Sequence, residues 1–289
     1  MYTIFTDTDC DMTPELAKKY GYKLIIMPYT LLNKEVRPYV DFEKFDGHEF
    51  YDTLRKGNLP STSALPPQAY IDYFEPEFKK GNDILYVHFS SAMSGTFNSM
   101  RLALDELKEK YPERNVYTVD TKSITIGSYL IVCEVGELYK QGKSIEEIQK
   151  WAEEEVEKFP IYFYADNLKF FAKSGRVSGF KAFMGGLIGI KPIIHVSSEG
   201  KMVSIDKGRG RQAALKKIVD YVVRLQDKIE DHKVIVAHTD CIGIADELVE
   251  MLQKQFSNKL DIEYVEVNPT IGGHCGPDCV GVCFHGIHR

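Results

Sequence analysis

The sequence predicts an α/β protein with a parallel sheet in its N-terminal half and a mixed, largely antiparallel sheet in an α+β C-terminal half. In the first half, short β-rich runs alternate with polar loops and helical patterns, as in a doubly wound parallel sheet. In the second half, strand-like runs dominate and helices are fewer. Because 289 residues fit two ordinary domains, we predict domains at residues 1–158 and 159–289.

The first half divides into strands and helices as follows. The predicted strands are Tyr2–Thr6, Lys23–Tyr29, Asp83–Ser90 and Asn115–Asp120. Predicted helices begin at Thr13-Pro14-Glu15 and at Pro66-Pro67, where a proline suits the first helical position. Further helices are predicted at Phe42–Lys56, at Phe97–Tyr111 and from the Thr121-Lys122-Ser123 loop to Tyr139. An amphipathic helix from Ile145 is expected to lead into the second domain.

The second half reads as a series of strands with two long helices. The predicted strands are Ile161–Ala165, Ile193–Val196, Met202–Asp206, Val234–Thr239, Ile262–Val267 and Val280–His285. The predicted helices are Gln212–Asp227 and Ile244–Gln255. The segment Val196–Met202 resembles a hairpin turn. No internal repeat or low-complexity segment is present.

Three loops of the first half share a polar composition, namely Asp7-Thr8-Asp9, Ser61-Thr62-Ser63 and Ser94-Gly95-Thr96. In an open parallel sheet, such loops gather at the carboxyl ends of the strands, where ligands bind. Hydroxyl groups and free helix N–H groups there favour an anion, and Gly95 leaves room for a ligand to approach the backbone. Alternatively, the hydroxyls only cap their helices.

Two kinds of catalysis can be weighed against these residues. Ser94 lies in MSGT rather than in a G-x-S-x-G elbow, and His274 could approach it from far along the chain. No carboxylate that would orient such a pair can be identified. The sequence has no phosphate-binding G-x-x-x-x-G-K-[ST] motif and no G-x-G-x-x-G after a strand. Nucleotide chemistry by a standard loop is therefore unsupported.

The segment GFKAFMGGLIGI, residues 179–190, places glycines among large apolar side chains. Each glycine weakens a helix by roughly 1 kcal/mol. The composition indicates either close packing or the wall of a slender cavity that admits an apolar ligand. The tunnel candidates are Phe180, Phe183, Met184, Leu187, Ile188 and Ile190.

The net charge is −6, which argues against a general nucleic-acid binder. The charge is uneven, because residues 166–225 carry 12 basic and 4 acidic side chains, a local balance of 12 − 4 = +8. This basic segment is either a solvated face or a contact for an anionic partner.

The N-terminus does not resemble a signal peptide, and no apolar stretch is long enough for a membrane span, so a cytoplasmic location with reduced cysteines is expected. Cys275, Cys279 and Cys283 fall every fourth residue, unlike the C-x₂-C pairs of metal sites. We therefore predict no metal site and no cofactor, and the role of these cysteines stays open. His274 and Cys275 are expected in a glycine-rich loop.

Seven segments in order resemble the DegV family over nearly the whole chain. They are TDTDCDM, LPSTSALPPQAY, FSSAMSGTFNS, VDTKSITIG, NLKFFAKSGRVSGFKAFMGGLIGIKPIIHVSSEGKM, KGRGRQAAL and GGHCGPDCVGVCF. The resemblance implies a two-domain carrier that binds one long-chain fatty acid, such as palmitate, stearate or oleate, in a tunnel. It also implies a partner, the catalytic subunit of a fatty acid kinase, which phosphorylates the bound carboxylate for phospholipid synthesis.

By position in these motifs, the resemblance implies that Thr62, Ser94, Gly95 and His274 hold the carboxylate. Arg209, with Arg211 beside it, falls where the family meets the transferred phosphate or the kinase. The family often has G-P-G-x-L-G after the histidine, whereas this chain places Asp278 there, close to the expected anionic head group. A carrier would have no turnover of its own and would contact the membrane peripherally during lipid exchange. The alternatives are a Ser94/His274 acyl hydrolase or acyltransferase and a lipid-responsive interaction protein.

Overall fold

A computed structural model describes residues 1–178 and 189–289 of the chain. Its N-terminal half contains a four-stranded parallel sheet in the order β2-β1-β6-β7. These strands are β1 (Tyr2–Asp7), β2 (Lys23–Ile25), β6 (Asp83–His88) and β7 (Val116–Asp120). The predicted parallel sheet of the first half is confirmed.

Five helices accompany this sheet, and local sequence explains where several of them begin. They are α1 (Pro14–Tyr20), α3 (Pro67–Lys79), α4 (Thr96–Lys110), α5 (Ile126–Lys140) and α6 (Ile145–Glu155). Thr13 caps α1 by accepting a hydrogen bond from the Leu16 N–H at 3.3 Å, and Pro14 takes the first helical position. Ser144 and Glu147 form a reciprocal capping box at the start of α6.

A small antiparallel sheet stands apart from the parallel one, and the sequence did not predict it. It contains β3 (Tyr29–Leu31), β4 (Lys34–Val36) and β5 (Ser61–Thr62). Helix α2 (Gly47–Arg55) lies between β4 and β5 in the sequence. The Ser61-Thr62-Ser63 segment therefore does not follow a strand of the parallel sheet, as expected, but lies in β5 and just after it. The predicted helix from Phe42 begins only at Gly47, because Asp46 caps it through the Glu49 N–H at 2.9 Å.

The C-terminal half contains a seven-stranded mixed sheet in the order β13-β12-β14-β8-β10-β11-β9. Its strands are β8 (Ile161–Tyr164), β9 (Val177–Ser178), β10 (Ile190–Val196), β11 (Met202–Arg209), β12 (Lys233–His238), β13 (Asp261–Glu266) and β14 (Val280–Cys283). Within this sheet, as far as its strands are described, only the two edge pairs, β12 with β13 and β11 with β9, are parallel. The predicted mixed, largely antiparallel sheet is confirmed. Its helices are α7 (Leu168–Ser174), α8 (Arg211–Leu225), α9 (Ile242–Gln255) and α10 (Pro269–Cys275).

This second sheet is apolar on both faces, as its period-two pattern shows. Val234 and Val236 pack with α8 and α9, whereas Ile235 and Ala237 of the same strand join the apolar core of the first half. The first half and the second sheet thus share one continuous core, in addition to the core beneath α8 and α9. The predicted domain boundary between residues 158 and 159 falls between α6 and β8, and the division into domains stays a prediction.

No helix in residues 1–178 or 189–289 is both long and apolar enough to cross a membrane.

Candidate functional site

A polar cavity of about 50 Å³ lies where the first half meets the second sheet. Its walls come from segments far apart in sequence. The lining residues are Asp9, Met27, Pro28, Thr62, Ser63, Phe89, Met93, Ser94, Thr96, Ile124, Arg176, Met202, Thr270, Ile271, His274 and Cys275. Since a cavity needs roughly 10–15 Å³ to hold one water, this space suits a few waters or one small polar group such as a carboxylate.

Thr62 and His274 meet in this cavity. Oγ1 of Thr62 and Nε2 of His274 lie 3.0 Å apart and share a hydrogen bond whose donor depends on the histidine tautomer. Burial, with Arg176 and Lys173 nearby, lowers the pKa of His274 to about 4. The imidazole is therefore neutral at pH 7, so it can donate one hydrogen bond and accept another.

His274 lies on helix α10, so the expected glycine-rich loop is wrong. Asn268 caps this helix by accepting from the Ile271 N–H at 3.1 Å, and Pro269 follows at the first helical position. The glycines serve close packing instead: a Cβ on Gly272 would lie 2.2 Å from the Tyr51 hydroxyl, and one on Gly273 would lie 2.6 Å from Pro60. The signal for a helix was present in Asn268-Pro269.

Ser94 reaches the same cavity from the start of α4. Its Oγ accepts a hydrogen bond from the Thr96 N–H at 3.2 Å, so it does cap the helix, and it also lines the cavity. Gly95 stands at the N-terminal end of α4, and a Cβ there would meet nothing within 4 Å. Open space beside Gly95 is compatible with the predicted backbone approach, but its backbone does not require glycine.

Arg176 is a lining residue that the sequence analysis did not select. It follows the αL cap Gly175 of α7 and donates a hydrogen bond to the Ser174 carbonyl. Among the described lining residues it is the only cation, since His274 is neutral. The available signal was its membership of the basic segment, which did not distinguish it from eleven other basic side chains.

Asp9 is a second lining residue that was not selected. Its side chain is only 5 % exposed, and burial next to Asp7 and Asp11 raises the pKa of its carboxyl well above the usual value. The sequence predicts a polar loop at Asp7-Thr8-Asp9, but nothing in it indicates which aspartate reaches the cavity.

An apolar cavity of about 40 Å³ adjoins the polar one and lies between the start of α5 and the mixed sheet. The two cavities share Ile124, Met202, Ile271 and Cys275 as walls. The other lining residues of the apolar cavity are Thr125, Ile126, Ile161, Phe163, Ala237, Thr239, Val267, Cys279, Val280 and Gly281. The shared walls thus place a polar space next to an apolar one, an arrangement that suits an amphipathic ligand.

The predicted tunnel residues fall largely outside the part of the chain that the structure describes. Phe180, Phe183, Met184, Leu187 and Ile188 lie outside the described residues. Ile190 is half-buried at the start of β10, opposite Arg209.

The predicted phosphate or partner contacts lie outside both cavities. Arg209 is exposed at the end of β11, and Arg211 forms an ion pair with Glu247 at 3.0 Å. Asp278, which the sequence placed near the head group, instead pairs with Arg55 at 2.9 Å and lines neither cavity. Its charge is therefore balanced away from the polar cavity.

The cysteines now have a packing environment. All six are free thiols; Cys275 lines both cavities and Cys279 lines the apolar one, so both act as small apolar wall residues. Burial raises the pKa of Cys275 to about 12, which keeps its thiol protonated. In the described part of the chain, one group of potential metal ligands comes together, His48 with Asp52 and Asp240, and Arg55 forms ion pairs with both carboxylates.

The chain thus has an α/β fold in which a parallel sheet and a mixed sheet share one apolar core, and two adjoining cavities lie beside the mixed sheet. A family model described as "uncharacterised protein, DegV family" matches residues 1–286. A DegV domain-containing protein of Clostridium perfringens is 34% identical over 286 residues, which cover 99% of this chain and 97% of the relative. The chain belongs to the DegV family.

Solved structures of the family show the same fold. DegV of Bacillus subtilis, described as a fatty acid binding protein, has a TM-score of 0.81 and 25% identity and covers 99% of both chains. A DegV lipid binding protein of Thermotoga maritima has a TM-score of 0.80 and 25% identity and covers 100% of both chains.

Proposed function

We propose that this protein is a carrier that binds a long-chain fatty acid and presents its carboxylate to a kinase partner. The observation that carries the proposal is that a polar cavity and an apolar cavity adjoin and share four lining residues. A fatty acid has the same order of chemistry, a charged head group followed by an apolar chain. The descriptions of the Bacillus subtilis and Thermotoga maritima relatives as fatty acid and lipid binding proteins support the same assignment.

The head group would sit in the polar cavity. Hydroxyl groups of Thr62 and Ser94, the neutral imidazole of His274 and the guanidinium of Arg176 all line this space. Hydrogen bonds from such donors to a carboxylate are charge-assisted and stronger than those between neutral groups. Arg176 additionally supplies a positive charge, so the carboxylate would not have to be buried without a counter-ion.

The acyl chain would enter the apolar cavity. Burial of about fifteen methylenes at ~0.8 kcal/mol each amounts to roughly 12 kcal/mol before the cost of binding is subtracted. Because the apolar cavity has a volume of only about 40 Å³, a chain of this length needs further space. We infer that the walls separate to admit it, and that Phe180, Phe183, Met184, Leu187, Ile188 and Ile190 line the rest of the tunnel.

The partner would be the catalytic subunit of a fatty acid kinase. The carrier would hold the acid while that subunit transfers phosphate from ATP to the carboxylate, and the acyl phosphate would serve phospholipid synthesis. Arg209 is exposed and makes no ion pair with a described residue, so its guanidinium is available to a phosphate or to an acidic kinase surface. Arg211, which already pairs with Glu247, would contribute less.

An acyl hydrolase or acyltransferase that uses Ser94 and His274 is less well supported. The imidazole Nε2 contacts Thr62 rather than Ser94, and the Ser94 hydroxyl accepts from the helix N–H of Thr96. No carboxylate among the described residues hydrogen-bonds His274, so nothing orients it as a triad histidine. A lipid-responsive interaction protein remains the third candidate, which differs from the first only in its partner.

Lipid extraction tests the proposal most directly. Protein purified from cells should release close to one C16–C18 fatty acid per chain by mass spectrometry, and emptied protein should take up palmitate, stearate or oleate. An empty extract together with no uptake would contradict the carrier. The protein alone should not turn over activated acyl esters; turnover that disappears in His274→Gln would support the enzyme instead.

The kinase step needs a second experiment. The protein loaded with ¹⁴C-palmitate is mixed with ATP and a fatty acid kinase catalytic subunit, and acyl phosphate is trapped with hydroxylamine. Arg209→Ala should lower the rate without changing palmitate uptake, whereas Lys254→Ala, which removes a basic residue at the end of α9, serves as the matched control. Capture of other partners from cell extract, with no acyl phosphate formed, would favour the interaction protein.

A further inference from the structure

Three buried aspartates stand together at the carboxyl end of β1, and two of them are well supplied with hydrogen bonds. Asp7 accepts from the Tyr86 hydroxyl at 2.8 Å and from the backbone N–H groups of Asp9 and Phe89. Asp11 accepts from the backbone N–H and the side-chain amide of Asn268, at 2.9 and 2.7 Å. Both carboxylates can therefore carry a negative charge that donors stabilise.

Asp9, between them, has no such support. Its carboxyl accepts no hydrogen bond from any residue in 1–178 or 189–289, and its Oδ1 is fully buried. No ion pair joins it to Arg176, whose guanidinium donates to the Ser174 carbonyl. An ionised carboxylate in this position would lose its hydration without compensation, whereas the neutral acid avoids most of that penalty.

The groups around Asp9 on neighbouring elements also favour the neutral form of its carboxyl over the ionised form. Besides Asp7 and Asp11, they are Cys10 after β1, Tyr70 of α3, Tyr86 of β6, Arg176 before β9, and His274 and Cys275 of α10. The two thiols, the two phenols and the imidazole are neutral at pH 7, because burial raises the pKa values of the first four and lowers that of His274. Like charge from Asp7 and Asp11 also opposes ionisation of Asp9.

The same carboxyl lines the polar cavity in which the proposed head group would sit. Two ionised carboxylates in one small buried space repel each other strongly, and the single guanidinium of Arg176 can balance only one of them, so a proton shared between the carboxylates relieves the repulsion. We propose that Asp9 is a positioning residue that enters the complex as a neutral carboxylic acid and donates its O–H to the bound fatty-acid carboxylate. Each bound fatty-acid carboxylate is then accompanied by one proton on Asp9, and the Asp9 carboxyl gains the hydrogen-bond partner that it lacks in the protein alone.

This inference rests on the proposed function. As a hydrogen-bond donor, Asp9 differs from the donors described above in one respect. Thr62, Ser94 and His274 can donate at any pH near neutrality, whereas Asp9 donates only while it keeps its proton. Affinity for the carboxylate should therefore fall once the pH exceeds the pKa of Asp9 in the free protein, because a proton must then be taken up on binding.

Infrared spectroscopy of the complex tests the proton directly. The protein is loaded with palmitate labelled with ¹³C at the carboxyl carbon, so that the ligand bands are shifted away from those of the protein. At pH 8, where Asp7 and Asp11, with pKa values of about 6 and 7, are mostly ionised, we expect a neutral carboxylic-acid band in the wild type and none in Asp9→Asn. No such band in the wild-type complex, or a band that survives in Asp9→Asn, would overturn the inference.

Binding of the fluorescent fatty acid cis-parinaric acid across pH 6 to 10 supplies the second readout. The same infrared band is followed in the lipid-free protein. Where it fades with rising pH while the band of the complex persists, the wild-type Kd should rise by up to about tenfold per pH unit. Asp9→Asn keeps a donor in its side-chain amide and should bind with a Kd that varies less than about twofold over the same range. Asp105→Asn, an exposed aspartate of α4, is the matched control and should follow the wild type.

The outcomes separate the inference from the function on which it rests. Fading of the band in the lipid-free protein with no loss of affinity at the same pH would overturn the role of Asp9 while leaving fatty-acid binding intact. No binding of cis-parinaric acid or palmitate by the wild type at any pH would instead contradict the proposed function. If Asp9→Asn does not fold, proton uptake by the wild type on binding decides, measured calorimetrically in buffers of different ionisation enthalpy. Uptake that stays at zero where the band has faded in the lipid-free protein but persists in the complex would refute the proposal.

Discussion

The hydrogen bond between Thr62 and His274 offers the sharpest test of where the head group lies. Thr62→Val keeps the shape of the side chain and its β-branch but removes the hydroxyl that stands 3.0 Å from the imidazole. A hydrogen bond to a charged group contributes about 1.5–3 kcal/mol, so loss of the Thr62 hydroxyl should raise the Kd for palmitate about 10- to 150-fold. Direct titration with cis-parinaric acid and competition by palmitate measure this change.

The same substitution should also affect the empty protein. Nε2 of His274 would lose its partner in a largely buried place, which lowers the free energy of unfolding by about 1–3 kcal/mol. Urea denaturation of the lipid-free protein measures this quantity separately from binding. Thr53→Val is the matched control, because it removes a hydroxyl that donates to the Glu49 carbonyl on α2, outside both cavities. Palmitate affinity within about twofold of the wild type in Thr62→Val would refute this placement of the head group.

Three further predictions concern the walls and charges of the cavities. Ala237→Leu places a larger side chain against the apolar cavity and should weaken palmitate binding at least tenfold, with a smaller effect on the shorter acid laurate. Competition with cis-parinaric acid measures both affinities. Equal losses of affinity for the two acids would contradict the proposed path of the acyl chain. Arg176→Gln should raise the Kd about tenfold and make binding less sensitive to salt, which titrations at low and high ionic strength would reveal. The pKa of His274 is about 4 in the fold and about 6.5 unfolded, so the unfolded chain binds the extra proton as the pH falls between these values and stability is lost there. Between pH 6.5 and 4, the free energy of unfolding of His274→Gln should therefore fall by up to about 3 kcal/mol less than that of the wild type, as urea denaturation at a series of pH values would show. The same dependence of this free energy on pH in both proteins would contradict a neutral His274.

The larger elements of the fold were predictable because their patterns are long. Strands such as Lys233–His238 have enough residues for their β-rich run to be recognised, and helices such as Ile145–Glu155 carry a polar cap and an amphipathic pattern. The strands of the small sheet have only two or three residues and are too short to show a period. The predicted strand Lys23–Tyr29 is interrupted after Ile25, and Tyr29 then begins the next strand, because Pro28 cannot donate to a ladder.

The site was predictable only in part. Thr62, Ser94 and His274, which the family resemblance assigned to the head group, do line one cavity. Arg176 and Asp9 were not selected, since their entry into the cavity depends on how the second sheet packs against the first half. The sequence contains many basic and acidic residues that could equally well line a cavity, and only tertiary packing distinguishes these two from the others.

The Thr62–His274 contact joins residues 212 positions apart, and the cavity around it draws on both sheets and the small antiparallel one. Neither half of the chain contains the site alone, so a proteolytic fragment would release its lipid. A fatty acid would therefore act as a clamp on the whole molecule: at a hundredfold excess over its Kd it would add about 2.7 kcal/mol to the free energy of unfolding. Resistance to proteolysis would then report how much of the cellular pool of this protein is loaded.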